Sequence, residues 1–213
     1  MTMETRMFTV GNFLTNCYVV GCEKTGEVII VDPGFETDLE SQEVFRFIDA
    51  NFSTVKLILN THGHPDHTCG NGMAKERFPA PILVHEYDAY MLGNSSKILP
   101  AFFGFRSSSP AANGMLHDGD LIKIGASTLK IAHTPGHSRS SVSLVGDKEV
   151  FTGDTLFAGS IGRTDFPESS EADIRNSLKR LADLPRDCIV YPGHGPKTTI
   201  GRESDTNPFL QNL

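Results

Sequence analysis

The chain has 213 residues, 38% of them hydrophobic, and a formal net charge of -7 from 19 basic and 26 acidic side chains. That length buries one sizeable core, so a single domain over residues 1–213 is expected, and an acidic balance without a basic stripe argues against nucleic acid as a partner. No apolar run reaches the length of a membrane span, Met1-Thr2-Met3-Glu4 lacks a leader pattern, and Cys17, Cys22, Cys69 and Cys188 form no compact framework, which together read as a reduced, cytoplasmic protein.

Met7 to Val10 reads as an edge strand. Cys17–Cys22 and Val28–Val31 read as a hairpin turning at Thr25-Gly26, closed by Asp32-Pro33-Gly34. Asp38 to Phe52 has helical spacing, with Leu39, Val44, Phe47 and Ile48 on one broad face. Val55 to Leu59 is the next strand. Gly70 to Phe78 predicts a short helix, Pro81 to His85 a strand, and Glu86 to Leu92 a helix. The stretch from Gly93 to Leu116 carries Phe102, Phe103 and Phe105, read either as a flap over a site or as local core. Leu121–Ile124 with Thr128–Ala132, and Ser141–Val145 with Glu149–Thr152, form two further hairpins. Leu156 to Pro167 reads as a Gly-rich loop. Ser170 caps a helix bearing Ile174, Leu178 and Leu181. Cys188 to Tyr191 is a last strand, ended by Pro192-Gly193-His194-Gly195-Pro196 and followed by a polar tail. Two sheets packed face to face with helices outside account for this order.

Between the Val55–Leu59 strand and the following helix stands Asn60-Thr61-His62-Gly63-His64-Pro65-Asp66-His67. So many metal-type side chains in so short a stretch predict a cation site. His137, Asp154 and His194 each follow a strand and a Gly turn, which lets strand ends meet at one rim. The groups divide into two sites: His62, His64 and His137 for one ion, Asp66, His67 and His194 for a second, with Asp154 bridging. Imidazole and carboxylate donors suit zinc, with iron or manganese also served. No cysteine is among them, which removes the thiolate argument for structural zinc, and an incomplete, water-holding shell reads as catalytic. Asp66 fixes the second ion and is a candidate to orient an attacking water. Asp32 is a candidate acceptor beneath the metal loop, the alternative being an ordinary turn cap.

Thr61-His62-Gly63-His64-Pro65-Asp66-His67, joined by His137, Asp154 and His194, resembles the signature of the metallo-β-lactamase fold superfamily. The resemblance implies an αββα sandwich, here of the four-layer type, with a dinuclear site at one edge. Asn16-Cys17-Tyr18, Val31-Asp32-Pro33-Gly34, Thr134-Pro135-Gly136-His137-Ser138, Gly153-Asp154-Thr155-Leu156-Phe157 and Tyr191-Pro192-Gly193-His194-Gly195 look most like the glyoxalase II (hydroxyacylglutathione hydrolase) branch. Gly159 to Pro167 is similar to its small single-domain members.

That branch implies hydrolysis of a small-molecule thioester, such as an acylated glutathione, by water activated between two divalent cations, in a monomer or small homo-oligomer. Larger relatives carry a C-terminal helical domain, which the residues after His194 are too few to form. They also hold glutathione with a Lys and a Tyr after the bridging aspartate; here Arg163 is the candidate for the Lys, and Asp165 stands at the Tyr position. Arg163 and Asp165 pairing as scaffold is the other reading. The same fold also houses a mononuclear iron persulfide dioxygenase and hydrolases of lactones and phosphodiesters, which are the alternatives.

Overall fold

The computed structural model describes residues 3–93, 109–211 and 213. Phe102, Phe103 and Phe105 lie outside the described residues. The chain forms two compact units, Met1–Leu116 with Ile122–Thr128 and His117–Leu121 with Leu129–Leu213.

The first unit is built on a six-stranded sheet of order β1-β2-β3-β4-β5-β6: Glu4–Val10, Thr15–Cys22, Glu27–Val31, Thr54–Leu59, Ile82–His85 and Gly114–Leu116. β1, β2 and β3 pair antiparallel, as hairpin-linked strands can, and β1 is the edge. β3, β4, β5 and β6 run parallel. Parallel neighbours need a crossover; α1 (Asp38–Asn51) crosses between β3 and β4, and α2 (Pro65–Thr68) and α3 (Asn71–Arg77) between β4 and β5. Thr37 starts α1 with a capping box shared with Glu40. Val44 and Ile48 of α1 pack with Val19, Val28, Ile30 and Ile58 of the sheet.

Leu39 does not join that face and is 76% exposed, while Ser41 is buried. At about 100° per residue Leu39 stands roughly 140° around the helix from Val44, whereas Ser41, Val44 and Ile48 share a stripe. Glu86–Met91 is a 3-10 helix rather than an α-helix. β6 lies at the end of the stretch read as flap or local core, where no strand was expected; three residues are too short to show a period of two.

A second six-stranded sheet, of which β9, β10, β13 and β14 lie wholly in the second unit, has the order β14-β13-β10-β9-β8-β7. Its strands are β7 (Leu121–Ile124), β8 (Ser127–His133), β9 (Val142–Val145), β10 (Glu149–Gly153), β13 (Ile189–Pro192) and β14 (Thr198–Thr199). β9 is antiparallel to both β8 and β10, and β10 is parallel to β13, so β8, β10 and β13 end on the same side. α4 (Glu171–Ala182) begins at Ser170, whose hydroxyl accepts from Asp173 N–H. Its Ile174, Leu178 and Leu181 pack on Val150 and Val190.

The expected loop after Leu156 contains a small hairpin, β11 (Leu156–Phe157) and β12 (Ser160–Ile161). The expected polar tail is α5 (Ile200–Thr206) and α6 (Pro208–Gln211), with Ile200, Glu203, Asn207 and Leu210 buried. Polar composition concealed that segment because two of its buried side chains are themselves polar.

A candidate metal centre in two half-sets

In the first unit the candidate residues gather at the carboxyl ends of adjacent parallel strands, where open α/β sheets place ligands. β3 and β4 end in register at Val31 and Leu59, and Asp32 N–H donates to the Leu59 carbonyl at 2.9 Å. Asp32 takes a left-handed backbone, φ 50°, which aims its carboxylate at the next strand's exit. There it accepts from Thr61 N–H and the Thr61 hydroxyl, both at 2.7 Å, and from His67 Nδ1–H at 3.0 Å.

A carboxylate in this position only accepts, so the His67 proton sits on Nδ1 and the Nε2 lone pair faces away from Asp32. His67 Nε2 stands 3.5 Å from Asp66 Oδ2. The Thr61 hydroxyl, donating to Asp32, offers its own lone pair to His62 Nδ1 at 3.2 Å. His62 Nε2 then faces His64 Nδ1 at 3.1 Å. The Thr15 hydroxyl reaches Asp66 Oδ2 at 3.3 Å.

The loop itself is pinned by groups with no obvious signal in the sequence. Buried Asp88, after β5, accepts from Gly63 N–H at 2.7 Å. Asn60 Nδ2 donates to the His67 carbonyl at 3.0 Å, and Asn71 Nδ2 donates to Asn60 Oδ1 and Ser109 Oγ, each at 2.8 Å. Asp88 and Ser109 lie far from the loop in sequence, so only the folded chain brings them to it. Asn60 directly before the His-rich loop was the one available hint.

In the second unit the remaining candidates follow the aligned ends of β8, β10 and β13. Gly193 N–H donates to the Gly153 carbonyl at 2.8 Å, holding the exits of β10 and β13 side by side. Asp154 Oδ2 stands 3.5 Å from His137 Nε2 and 3.5 Å from His194 Nε2, so one oxygen faces two imidazoles. His137 Nδ1–H donates to the Arg163 carbonyl at 3.0 Å, which again leaves the lone pair on Nε2. The Phe157 ring meets the His194 ring edge-on at 6.0 Å between centroids.

Close packing fixes Asp154 from behind. A Cβ at Gly162 would fall on the Asp154 carbonyl oxygen. Gly162→Ala is therefore expected to shift Asp154 and to lower both the melting temperature and cation uptake; unchanged values for both would show that the backbone yields freely.

The side chain of Arg163 pairs bidentately with Asp165 at 2.6 and 2.7 Å and lies over the Phe166 ring at 4.1 Å. Its hydrogen bond holds the Asp165 carboxyl below the usual carboxylate range. The four cysteines are all buried. Burial, then the charge of Asp32, pushes the Cys17 thiol up. Burial raises Cys188 to about 11.

Both half-sets fit cations. Donor atoms bound at about 2.0 to 2.1 Å in a tetrahedral shell lie about 3.3 Å apart, and the spacings within each unit run from 3.1 to 3.5 Å. His67 and His137 each present Nε2 while Nδ1–H is held by a protein oxygen, the usual support for a metal-ligating imidazole.

The profile of the metallo-beta-lactamase superfamily matches residues 10–194. Hydroxyacylglutathione hydrolase GloC of Haemophilus influenzae is 32% identical over 220 residues, covering 99% of each chain. The crystal structure of BLEG-1 B3 metallo-beta-lactamase superposes with TM-score 0.87 at 32% identity, covering 97% of this chain and 99% of that one. The crystal structure of TTHA1623 in a di-iron-bound form superposes with TM-score 0.83 at 31% identity, covering 96% and 100%. The fold class expected from the element order, central sheets flanked by helices, is the one found. With the profile spanning both half-sets of candidate ligands and these likenesses running nearly end to end, the chain belongs to the metallo-beta-lactamase superfamily.

Proposed function

We propose that this protein is a metal-dependent hydrolase of small-molecule thioesters, of the glyoxalase II kind, acting on an acylated glutathione or related acylthiol. The observation that carries the reading is the 32% identity to a hydroxyacylglutathione hydrolase over 99% of both chains. The clustered histidines and aspartates support the metal dependence. His62, His64 and His137 would hold one divalent cation and Asp66, His67 and His194 a second, with Asp154 touching both. The superfamily profile runs through both units, which supports one hydrolase domain over 1–213. Zinc is the first expectation for this donor set, with iron or manganese accommodated.

Bound cations of this class lower the pKa of water and polarise a carbonyl. The chain's own groups do the rest. Asp32 and the Arg163 carbonyl keep the imidazole protons on Nδ1, so Nε2 stays available. Asp66, steadied by the Thr15 hydroxyl, orients the attacking water. A C–O bond forms at the acyl carbon, the C–S bond breaks, and a proton ends on the departing sulfur. Arg163, whose carbonyl accepts from His137 Nδ1–H, is the proposed contact for an anionic part of the substrate. The reading places the protein in the cytoplasm, as a monomer or small homo-oligomer, with no nucleic acid partner.

The test pairs metal counting on protein isolated without added metal with release of free thiol from S-lactoylglutathione and a panel of other thioesters. Two ions per chain and thiol release are expected. A fully loaded protein that turns over no thioester would overturn the reading. Oxygen uptake with glutathione persulfide, at one iron per chain, would replace it with the dioxygenase.

A further inference from the structure

Behind the second half-set lies a buried polar pair that the chemistry above does not use. Glu203, on α5, and Asn207, which ends that helix, are both fully buried. One Glu203 oxygen accepts from Gly159 N–H at 2.7 Å and Asn207 Nδ2 at 2.9 Å, and the other accepts from the Thr198 hydroxyl at 2.6 Å. Asn207 Nδ2 also donates to the Ser160 carbonyl at 3.1 Å and the Phe157 carbonyl at 3.4 Å. Two side chains thus grip the β11–β12 hairpin at its turn and on both strands.

That hairpin carries Phe157 against the His194 ring, whereas the Arg163 carbonyl that holds His137 lies beyond its second strand, past Gly162, which packs on the Asp154 carbonyl. A carboxylate inside a protein is stable only when its lone pairs are met, so the hairpin cannot shift without leaving Glu203 short of a partner.

We propose that Glu203 and Asn207 are positioning residues for the His194 limb of the metal centre, acting through the hairpin and Phe157; this rests on the two-cation reading above. Their substitution lowers affinity for the ion held with His194 and leaves the ion held by His62 and His64 nearly unchanged. The expected loss is about 10- to 100-fold, as for other groups that orient a ligand without touching the metal.

Glu203→Gln should differ from Glu203→Ala. The Gln oxygen can keep Gly159 N–H and Asn207 Nδ2, while its amide group faces Thr198, whose hydroxyl can reverse and accept. Affinity close to that of the unsubstituted chain is therefore expected for Glu203→Gln.

The experiment titrates metal-free full-length protein with Co²⁺ and follows the stepwise spectrum, alongside the NMR shift of the His194 ring proton in the metal-free state. The unsubstituted chain, E203A, E203Q, N207A and F157A are compared. One selectively weakened step in E203A, N207A and F157A, a moved His194 resonance, and rescue by E203Q support the proposal. Equal weakening of both steps, or a lower melting temperature with both steps intact, overturns it and leaves the pair a stabilising network only. Should E203A fail to fold, F157A decides between the same two outcomes, because it removes the ring that meets His194 and leaves the backbone hydrogen bonds to Glu203 and Asn207 in place. An unsubstituted chain that takes up no cation overturns the two-cation reading and this inference with it, whereas two normal steps in every variant overturn this inference alone.

Discussion

Asp154→Ala is expected to release bound cations on dialysis and to lower turnover by about a thousandfold or more. The reason is the place of one oxygen. Asp154 Oδ2 stands 3.5 Å from both His137 Nε2 and His194 Nε2, so its loss removes an anionic ligand from two proposed ions together. If that forfeits about 4 kcal/mol of transition-state stabilisation, the rate falls roughly a thousandfold. Asp154→Asn keeps the shape and can keep an oxygen at that point, but without the charge, so an intermediate loss is expected. Metal content after dialysis and kcat on a thioester check both variants. Full metal content with full rate in Asp154→Ala would remove Asp154 from the centre.

Asp32 should be the most sensitive position that touches no proposed ion. Asp32→Ala strands three donors, Thr61 N–H, the Thr61 hydroxyl and His67 Nδ1–H, around a side chain that is 1% exposed. Each buried group left unmet costs about 1–3 kcal/mol. Alanine at φ 50° adds about 1–2 kcal/mol. A destabilisation of roughly 4 kcal/mol or more is expected, a large part of the usual margin of about 5–15 kcal/mol. Urea unfolding measures it.

Asp32→Asn separates stability from tautomer control. Asparagine tolerates the left-handed backbone. If its oxygen keeps Thr61 N–H, its amide donors face His67 Nδ1, which must then lose its proton to Nε2, the atom proposed to meet the cation. Asp32→Asn is therefore expected to fold nearly as well as the unsubstituted chain yet to bind the His67 ion about 10- to 100-fold more weakly. Unaltered uptake would show that His67 does not depend on Asp32 for its proton.

The parts legible in the sequence were those whose signal is local. The strands Val28–Val31 and Val55–Leu59 are apolar runs between turn residues, and the structure places β3 and β4 there with shifts only at their ends. His62 to His67 stood out because they crowd one loop, and the structure brings His62 to His64 at 3.1 Å and Asp66 to His67 at 3.5 Å between donor atoms. Asp32, His137, Asp154 and His194 were visible through the Gly and Pro turns beside them.

The illegible parts depend on contacts across the fold. Asp88 sits in a stretch whose spacing reads as an ordinary helix, and nothing local says that its carboxylate holds Gly63. Glu203 and Asn207 lie in a polar-looking segment, where a charged residue is by default assigned to the surface. Their burial becomes sensible only once Gly159 and Thr198 arrive to meet them.

The proposed ligands offer nitrogen and oxygen only, and no thiol is among them, with Cys17 pushed firmly towards its protonated form. Soft monovalent copper thus finds no thiolate among those ligands. Among borderline divalent metals such a pocket discriminates weakly, so the occupant follows the host cell's own supply, and the same polypeptide made in zinc-rich and iron-rich media should emerge carrying different cargo.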